Sequence, residues 1–471
     1  MIIRIKNMFR SIPRVYANIK ISITANNLLS RNLILRGNFF RSISYSSRNN
    51  NGRYSRIRTN IIEKRELMFN NICKRNLTES PDLEVEVQSK PISVSVTPTK
   101  VIINWPDDQT SKFHNVWLRD HCKCDKCFHK VTKQRLVDTF KIPEDLESTS
   151  VFPEPNGIKI EWSDGHTSYF RWTWLRRHSY DPQFVDTEPF LHKKTLWNAR
   201  IKDHPPTVKY EDVMGSKEGL SNWLLNIDQY GFCFVDGVPP KVRETEELAK
   251  RISFIRETHY GGFWDFTPNL EHGDTAYTSL ALKAHTDNTY FTDPSGLQMF
   301  HLIEFNGTGG SSLLVDGFWA ARRLKMTFPE AHRTLSTIRI PAHSAGDHGI
   351  LIEPTPNAYP ILNYDPLTNE LYQIRYNNDD RSTLNHLTSN EVEAFYDALR
   401  KWNNILIDKE NEYWVNLEPG RVLIFNNWRI LHGRAEFTGH RRLIGAYLNW
   451  DDYRSKLKTS HLSSKEIDEM I

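Results

Sequence analysis

Past residue 210 the apolar side chains recur in short runs rather than in long helical stripes. Tyr230–Val235 (YGFCFV), 296–303, 311–316, Arg421–Phe425 (RVLIF) and Leu443–Leu448 are such runs. A run this short, rich in β-branched and aromatic residues, reads as a strand buried on both faces. Residues 216–229, 241–256 and 389–408 carry helical spacing instead. Gly307-Thr308-Gly309-Gly310 marks a turn between two of the strand candidates. Strands and helices do not alternate, so a βαβ sheet is disfavoured. The pattern predicts a mainly β fold with helices, of the β-sandwich or jelly-roll kind. No GxGxxG, no phosphate-cradling glycine loop and no internal repeat is found.

A second strand-rich region precedes this one. Residues 92–104 alternate or run β-branched, and Ile158–Trp162 (IKIEW) leads into the turn Ser163-Asp164-Gly165. Pro182, Pro189, Pro205 and Pro206 punctuate the stretch that follows. The expected organisation is a small β-rich domain over 92–190, a larger β domain over 205–455 and a tail over 456–471. Residues 63–91 are mixed and polar and read as a linker.

The charge is unevenly placed. The chain has 471 residues and a formal net charge of +4, but residues 1–62 hold twelve Lys or Arg and no Asp or Glu. Residues 63–471 therefore carry 49 basic and 57 acidic side chains, a net charge of −8. An Arg- and Ser-rich, acid-free N-terminus reads as a mitochondrial transit peptide, so the expected address is the mitochondrial matrix. The acidic remainder is poor material for a nucleic-acid partner, and none is expected. No apolar stretch is long enough for a transmembrane helix. Five cysteines in a chain of this length make no disulfide scaffold.

Three of those cysteines, Cys122, Cys124 and Cys127, form C-x-C-x-x-C. Thiolates this close suit a tetrahedral zinc, which needs a fourth ligand. His121, His129 and His166 are candidates. Zinc ligands tend to come from two separate segments, which favours His166 after the second strand and turn. Four protein ligands leave no open position, so a structural Zn(II) is expected rather than a catalytic one.

A nonhaem iron oxygenase needs two imidazoles and one carboxylate on one side of the metal, leaving positions for a chelating cosubstrate and O₂. His-x-Asp followed by a distant His is the sequence form of that set. The chain has two His-x-Asp pairs, His272-Gly273-Asp274 and His285-Thr286-Asp287. The first sits in a polar stretch. The second follows an apolar-rich one, where strand ends hold ligands rigidly, so His285 and Asp287 are preferred. His432, after the strand candidate at 421–425, is the distal partner. Arg441 lies nine residues further and suits a dicarboxylic acid through a bidentate, charge-assisted pair. The order His-x-Asp, His, Arg argues for a 2-oxoglutarate oxygenase.

At these residues the chain resembles the gamma-butyrobetaine/trimethyllysine dioxygenase family of Fe(II)/2-oxoglutarate oxygenases. The resemblance covers roughly residues 95–455. It rests on WLRDHCKCDKC (117–127), WSDGHTSYF (162–170), GDTAYTSLALKAHTDNTYF (273–291), GTGGSSLLVDGF (307–318), IRYNNDDR (374–381) and NNWRILHGRAEFTGHRRLIGAYL (426–448). It implies a double-stranded β-helix catalytic domain preceded by the zinc-binding domain. It also implies iron ligands His285, Asp287 and His432, and a 2-oxoglutarate site at Arg441 and Ser312. Cys122, Cys124, Cys127 and His166 match the zinc set.

Tyr260, Trp264, Tyr277 and Tyr447 match an aromatic cage for a quaternary ammonium, which donates no hydrogen bond and is best held by ring faces. Asn377 or Asn378 matches the amide that meets the substrate carboxylate. Asp274 suits an α-ammonium group, which trimethyllysine has and butyrobetaine lacks. The implied reaction is therefore hydroxylation of N6,N6,N6-trimethyl-L-lysine to its 3-hydroxy derivative, the first step of carnitine biosynthesis. Hydroxylation of gamma-butyrobetaine to L-carnitine is the alternative. Fe(II), 2-oxoglutarate, O₂ and ascorbate are the implied cofactors, and a homodimer the implied assembly.

Overall fold

The computed structural model describes residues 90–184, 193–267, 275–354 and 358–471. All of them lie in one unit, Ser80–Ile471. Within it the first region is built from two three-stranded antiparallel sheets, Ser93–Val96, Lys100–Asn104 and Thr110–His114 in one, Ser148–Glu154, Gly157–Trp162 and Thr167–Arg171 in the other. Strand alternation does the sorting. Ile158, Ile160 and Trp162 are buried while Lys159 and Glu161 point outward. Trp105, Phe113, Trp172 and Trp174 complete this core.

The second region folds as two facing antiparallel sheets. Its eight principal strands are β1 (Phe232–Asp236), β2 (Leu282–His285), β3 (Leu297–Asn306), β4 (Ser312–Asp316), β5 (Tyr413–Val415), β6 (Arg421–Asn426), β7 (Ile430–Arg434) and β8 (His440–Leu448). One sheet contains β8-β3-β6-β1, with short additions at its edges; the other is β2-β7-β4-β5. This is the curled, two-sheet arrangement of a double-stranded β-helix.

Both faces of the larger sheet are covered, which is why its strands read as unbroken apolar runs. In β6, Val422 and Ile424 face a helix layer, while Leu423 and Phe425 face the space between the sheets. In β1, Cys233 and Val235 go one way, Phe232 and Phe234 the other. The helix layer on that side is α1 (Lys217–Tyr230), α2 (Val242–Lys250) and α6 (Trp450–His461). The smaller sheet is backed by α3 (Gly317–Thr327), α4 (Pro329–Thr337) and α5 (Ser389–Leu406). Each fully buried Leu, Ile or Phe contributes roughly 1.5–3 kcal/mol, so these layers are the main source of stability.

Local signals set the ends of helices. Ser216 caps α1 by accepting from Gly219 N, and Gly231 (φ 82°) stops it in the left-handed conformation. A capping box between Thr388 and Glu391 starts α5. The stretch 241–256, expected as one helix, is helical only over 242–250. Ile255 and Arg256 instead pair with Leu448 and Tyr447 at the sheet edge, where tertiary pairing overrides local spacing. The chain end is also helical. Residues Ser464–Met470 lie against the first region through Lys133–Asp468 (2.6 Å) and Arg171–Glu469 (3.1 Å). Among the described residues no helix is long and apolar enough to cross a membrane.

Candidate active site and metal clusters

The cavity of interest lies between the two sheets. Strand periodicity explains what lines it. On β7, Ile430, His432 and Arg434 face inward and Leu431 faces α3–α5. On β8, Arg441, Leu443 and Tyr447 line the cavity, while Ala446 and Leu448 pack on the opposite layer. Ser312 faces inward from β4.

His285 at the end of β2 is paired directly with His432 of β7. Their ring centroids are 4.3 Å apart. Asp287, two residues on, brings Oδ1 to 3.1 Å from His285 Nε2 and 3.7 Å from His432 Nε2. One donor atom from each of the three lies within 4.8 Å of the others. Two imidazoles and a carboxylate converging on one point fit a divalent iron with open positions.

Neighbours hold the set in place. His285 Nδ1 donates to the Lys283 carbonyl at 2.7 Å, which turns Nε2 towards Asp287. Gln298 Nε2 and the Tyr447 hydroxyl both donate to Asp287 Oδ2 at 2.7 Å. Asn427 clasps the Asp287 backbone, accepting from its N–H at 2.8 Å and donating to its carbonyl at 3.0 Å. Burial works against the Asp287 charge, but His432, His285 and the Tyr447 hydroxyl outweigh it, and the carboxyl is held well below its usual range. Burial opposes protonation of His285 too; the bond to Asp287 overrides it and raises the imidazole. Burial first, then the His285 charge, push His432 down to about 3.

Arg441 is 6% exposed, and among the described residues no carboxylate pairs with it; its guanidinium lies 5.7 Å from the Phe437 ring. Burial pushes it down to about 10. A buried cation without an anion is costly, and the site suits an anionic ligand. The contrast is Arg429, fully buried but paired with the fully buried Asp316 at 2.8 Å.

Tyr260, Trp264, Tyr277 and Tyr447 all line the same cavity. Tyr260 and Tyr277 stack at 6.5 Å, and Trp264 meets Tyr447 edge-on at 5.7 Å. Gly445 makes room for Trp264, since a Cβ there would sit 2.4 Å from the indole. Asn377 lines the cavity, with its amide donating to Asp380 Oδ2 at 2.8 Å; Asn378 lines other surface clefts. Asp274 lies outside the described residues. Sequence reading missed Gln298, Asn427 and Arg434. Their roles depend on distant strands, and only Arg434 carried a signal, its i+2 position from His432.

The second cluster joins Cys122, Cys124, Cys127 and His166. The three Sγ atoms lie 3.3, 3.6 and 3.5 Å from His166 Nε2. Gly165 (φ 80°) turns the chain so that His166 faces the cysteines. Asp164 accepts from His166 N at 2.9 Å and from Arg119 Nε at 2.8 Å, and Arg119 reaches Cys127 Sγ at 3.4 Å. Burial and the neighbouring thiols push Cys122 up to about 12. Four soft and borderline donors at this spacing fit a closed tetrahedral zinc site.

Comparison with known proteins follows the same division. Residues 188–447 match the family described as "Taurine catabolism dioxygenase TauD, TfdA family". Residues 92–176 match "Gamma-butyrobetaine hydroxylase-like, N-terminal". A protein of Meyerozyma guilliermondii named trimethyllysine dioxygenase is 40% identical, over 81% of this chain and 98% of that one. A Homo sapiens protein named trimethyllysine dioxygenase, mitochondrial, is 42% identical, over 72% of this chain and 81% of its own. The Homo sapiens gamma-butyrobetaine dioxygenase is 29% identical, over 76% of this chain and 93% of its own.

Proposed function

The chain belongs to the TauD/TfdA dioxygenase family, alongside relatives named trimethyllysine dioxygenase, and from that premise we propose that it hydroxylates N6,N6,N6-trimethyl-L-lysine. It is an Fe(II)- and 2-oxoglutarate-dependent dioxygenase. The product is the 3-hydroxy derivative, as at the start of carnitine biosynthesis. The observation that carries the reaction class is the in-register pair His285–His432 with Asp287 beside it.

In this reading His285, Asp287 and His432 hold the iron. Bound there, iron supplies the oxidative decarboxylation of 2-oxoglutarate to succinate and the hydroxylation of a C–H bond. The chain's task is positioning, because so strong an oxidant does not choose its target. Arg441, with Ser312, grips the far carboxylate of 2-oxoglutarate. Gln298 and Tyr447 fix Asp287 through its second oxygen, leaving Oδ1 for the metal. Tyr260, Trp264, Tyr277 and Tyr447 present aromatic faces to the trimethylammonium group. Asn377 meets the substrate carboxylate and Asp274 its α-ammonium. The cage at one end and these polar groups at the other decide which carbon faces the iron.

Cys122, Cys124, Cys127 and His166 hold a structural zinc. Ascorbate keeps the iron reduced. The basic stretch 1–62, outside the described residues, directs the protein to the mitochondrial matrix; the animal relatives are named mitochondrial. The assembly is a homodimer, which sedimentation would read, and no nucleic acid is a partner.

The deciding experiment supplies Fe(II), 2-oxoglutarate, ascorbate and O₂ with trimethyllysine or gamma-butyrobetaine in separate reactions. Mass spectrometry should find one added oxygen on trimethyllysine, with matching succinate. Oxygen gain on butyrobetaine alone would overturn the substrate and keep the chemistry. Asp274→Asn should impair trimethyllysine turnover; an unchanged KM and kcat would remove Asp274 from the site.

A further inference from the structure

Arg441 has a neighbour in the cavity, Arg434, with no part in the proposed reaction. Arg434 is 6% exposed and lines the active cavity. It stands two residues past His432 on the same inward face of β7. Across the sheet it is paired with Ser312 on one side and Leu282 on the other. It therefore sits between the pocket proposed for the dicarboxylate and the segment that enters β2.

Among the described residues, its side-chain hydrogen bonds all go to that segment. Nη1 donates to Ala276 O at 3.2 Å, and Nη2 donates to Thr278 O at 2.6 Å and Leu280 O at 2.8 Å. Its Nε is buried and has no hydrogen-bond partner among the described residues. Three carbonyls of residues 276–280 thus converge on one guanidinium, and Tyr277 of the aromatic cage lies among them. Carbonyl dipoles compensate a buried cation only in part. Among the described residues no carboxylate pairs with Arg434 or Arg441, whereas the structural Arg429 has Asp316. Arg434 and Arg441 lie 4.8 and 5.7 Å from the same Phe437 ring. Two buried like charges lining one cavity disfavour each other, and a dianion between them relieves both.

We propose that Arg434 is a positioning residue that ties the cage segment 276–280 to the iron-bearing strand, and that a dicarboxylate bound at Arg441 strengthens that tie. Cosubstrate occupancy then orders the cage before substrate arrives. Linkage makes the effect reciprocal: a firmer tie raises dicarboxylate affinity by the same factor. The inference rests on the proposed cosubstrate and cage sites, not on the identity of the amine.

The test is backbone hydrogen exchange across 276–282 in the full chain loaded with Mn(II), with and without 2-oxoglutarate. In the native protein the cosubstrate should slow exchange there by about tenfold. Arg434→Gln should abolish that response, weaken 2-oxoglutarate binding by about tenfold and raise succinate released per hydroxylated product. Arg434→Lys keeps the charge but not the fork of donors, and should also lose the response. It decides the matter if the Gln variant does not fold. A purely structural arginine would lower the melting temperature and leave the 2-oxoglutarate response intact; that result, or native exchange indifferent to 2-oxoglutarate, would overturn the proposal. If the native protein fails to hydroxylate trimethyllysine, the substrate reading falls while the exchange experiment still decides the role of Arg434.

Discussion

The two ligand clusters are assembled in opposite ways. Cys122, Cys124 and Cys127 lie within six residues, and His166, 39 positions past Cys127, reaches them from the turn of a neighbouring hairpin. His285 and Asp287 must wait for His432, 145 positions further on, and meet it through a strand pairing. The first cluster is closed, with four donors around one point. The second is open, with three donors on one side of a cavity that also holds Arg441 and the aromatic rings. A closed cluster can take most of its donors from one short segment and needs only one more from a neighbouring hairpin. A site that must leave room for reactants needs a rigid scaffold whose strands set the spacing.

Breaking the clusters separately should give different kinds of failure. His285→Ala should lower succinate release and product formation by about 1000-fold or more while the melting temperature barely moves. Retained turnover would shift iron to other ligands. Cys124→Ala, or a zinc chelator, should do the reverse, costing several kcal/mol and unfolding the 92–177 region first. Pulse proteolysis mapped by mass spectrometry would show that order, and an unchanged digestion pattern would mean the cluster holds no zinc.

Smaller changes sharpen the comparison. Arg441→Lys should raise KM for 2-oxoglutarate by about 10–100-fold, because an ammonium cannot make the bidentate pair. Equal changes in KM for both substrates would argue against a dedicated cosubstrate site. Gln298→Ala should weaken iron binding by about 10–100-fold, measured by competition with a chelator.

A further effect lies outside both clusters. His301, fully buried on β3, receives a hydrogen bond at Nε2 from Gly420 N (3.1 Å) and bonds Thr245 Oγ1 through Nδ1 (2.7 Å). Burial pushes it down to about 4. The unfolded chain takes up a proton at pH values where the folded chain does not. Stability is therefore full above the ordinary value of about 6.5 and falls as pH drops towards 4. His301 should account for about 2 kcal/mol of the loss between pH 7 and 5, and His301→Gln should remove that share while leaving the share of His332, which burial likewise pushes down to about 4. Denaturant titrations at the two pH values would check this.

Much of the strand set was legible from residue order. RVLIF, YGFCFV and LIGAYL are apolar on both faces, and both faces prove to be covered. The triad and the cysteine cluster were legible too, since few residue types bind such metals and their spacing is distinctive. The helix expected to run to residue 256 was not: Ile255 is claimed by an edge pairing with Leu448, which no local window contains. Asn377 and Asn378 were equivalent in sequence; both line neighbouring clefts, and the first also lines the cavity.

The residue order by itself determined which chemistry was available: two imidazoles and a carboxylate, three thiols and a fourth donor, an arginine late in the chain. It also narrowed the fold to a β-sandwich or jelly roll, because hydrophobic periodicity is a property of neighbours along the chain. The tertiary structure decided what faces what. Gln298 and Tyr447 on Asp287, Asn427 on its backbone, and Arg434 between Ser312 and the 276–280 carbonyls all depend on strand register. A shift of one residue would turn Gln298, Tyr447 and Arg434 to the other face of their sheets. Register is fixed by the packing of whole layers, so no segment of the sequence contains it alone.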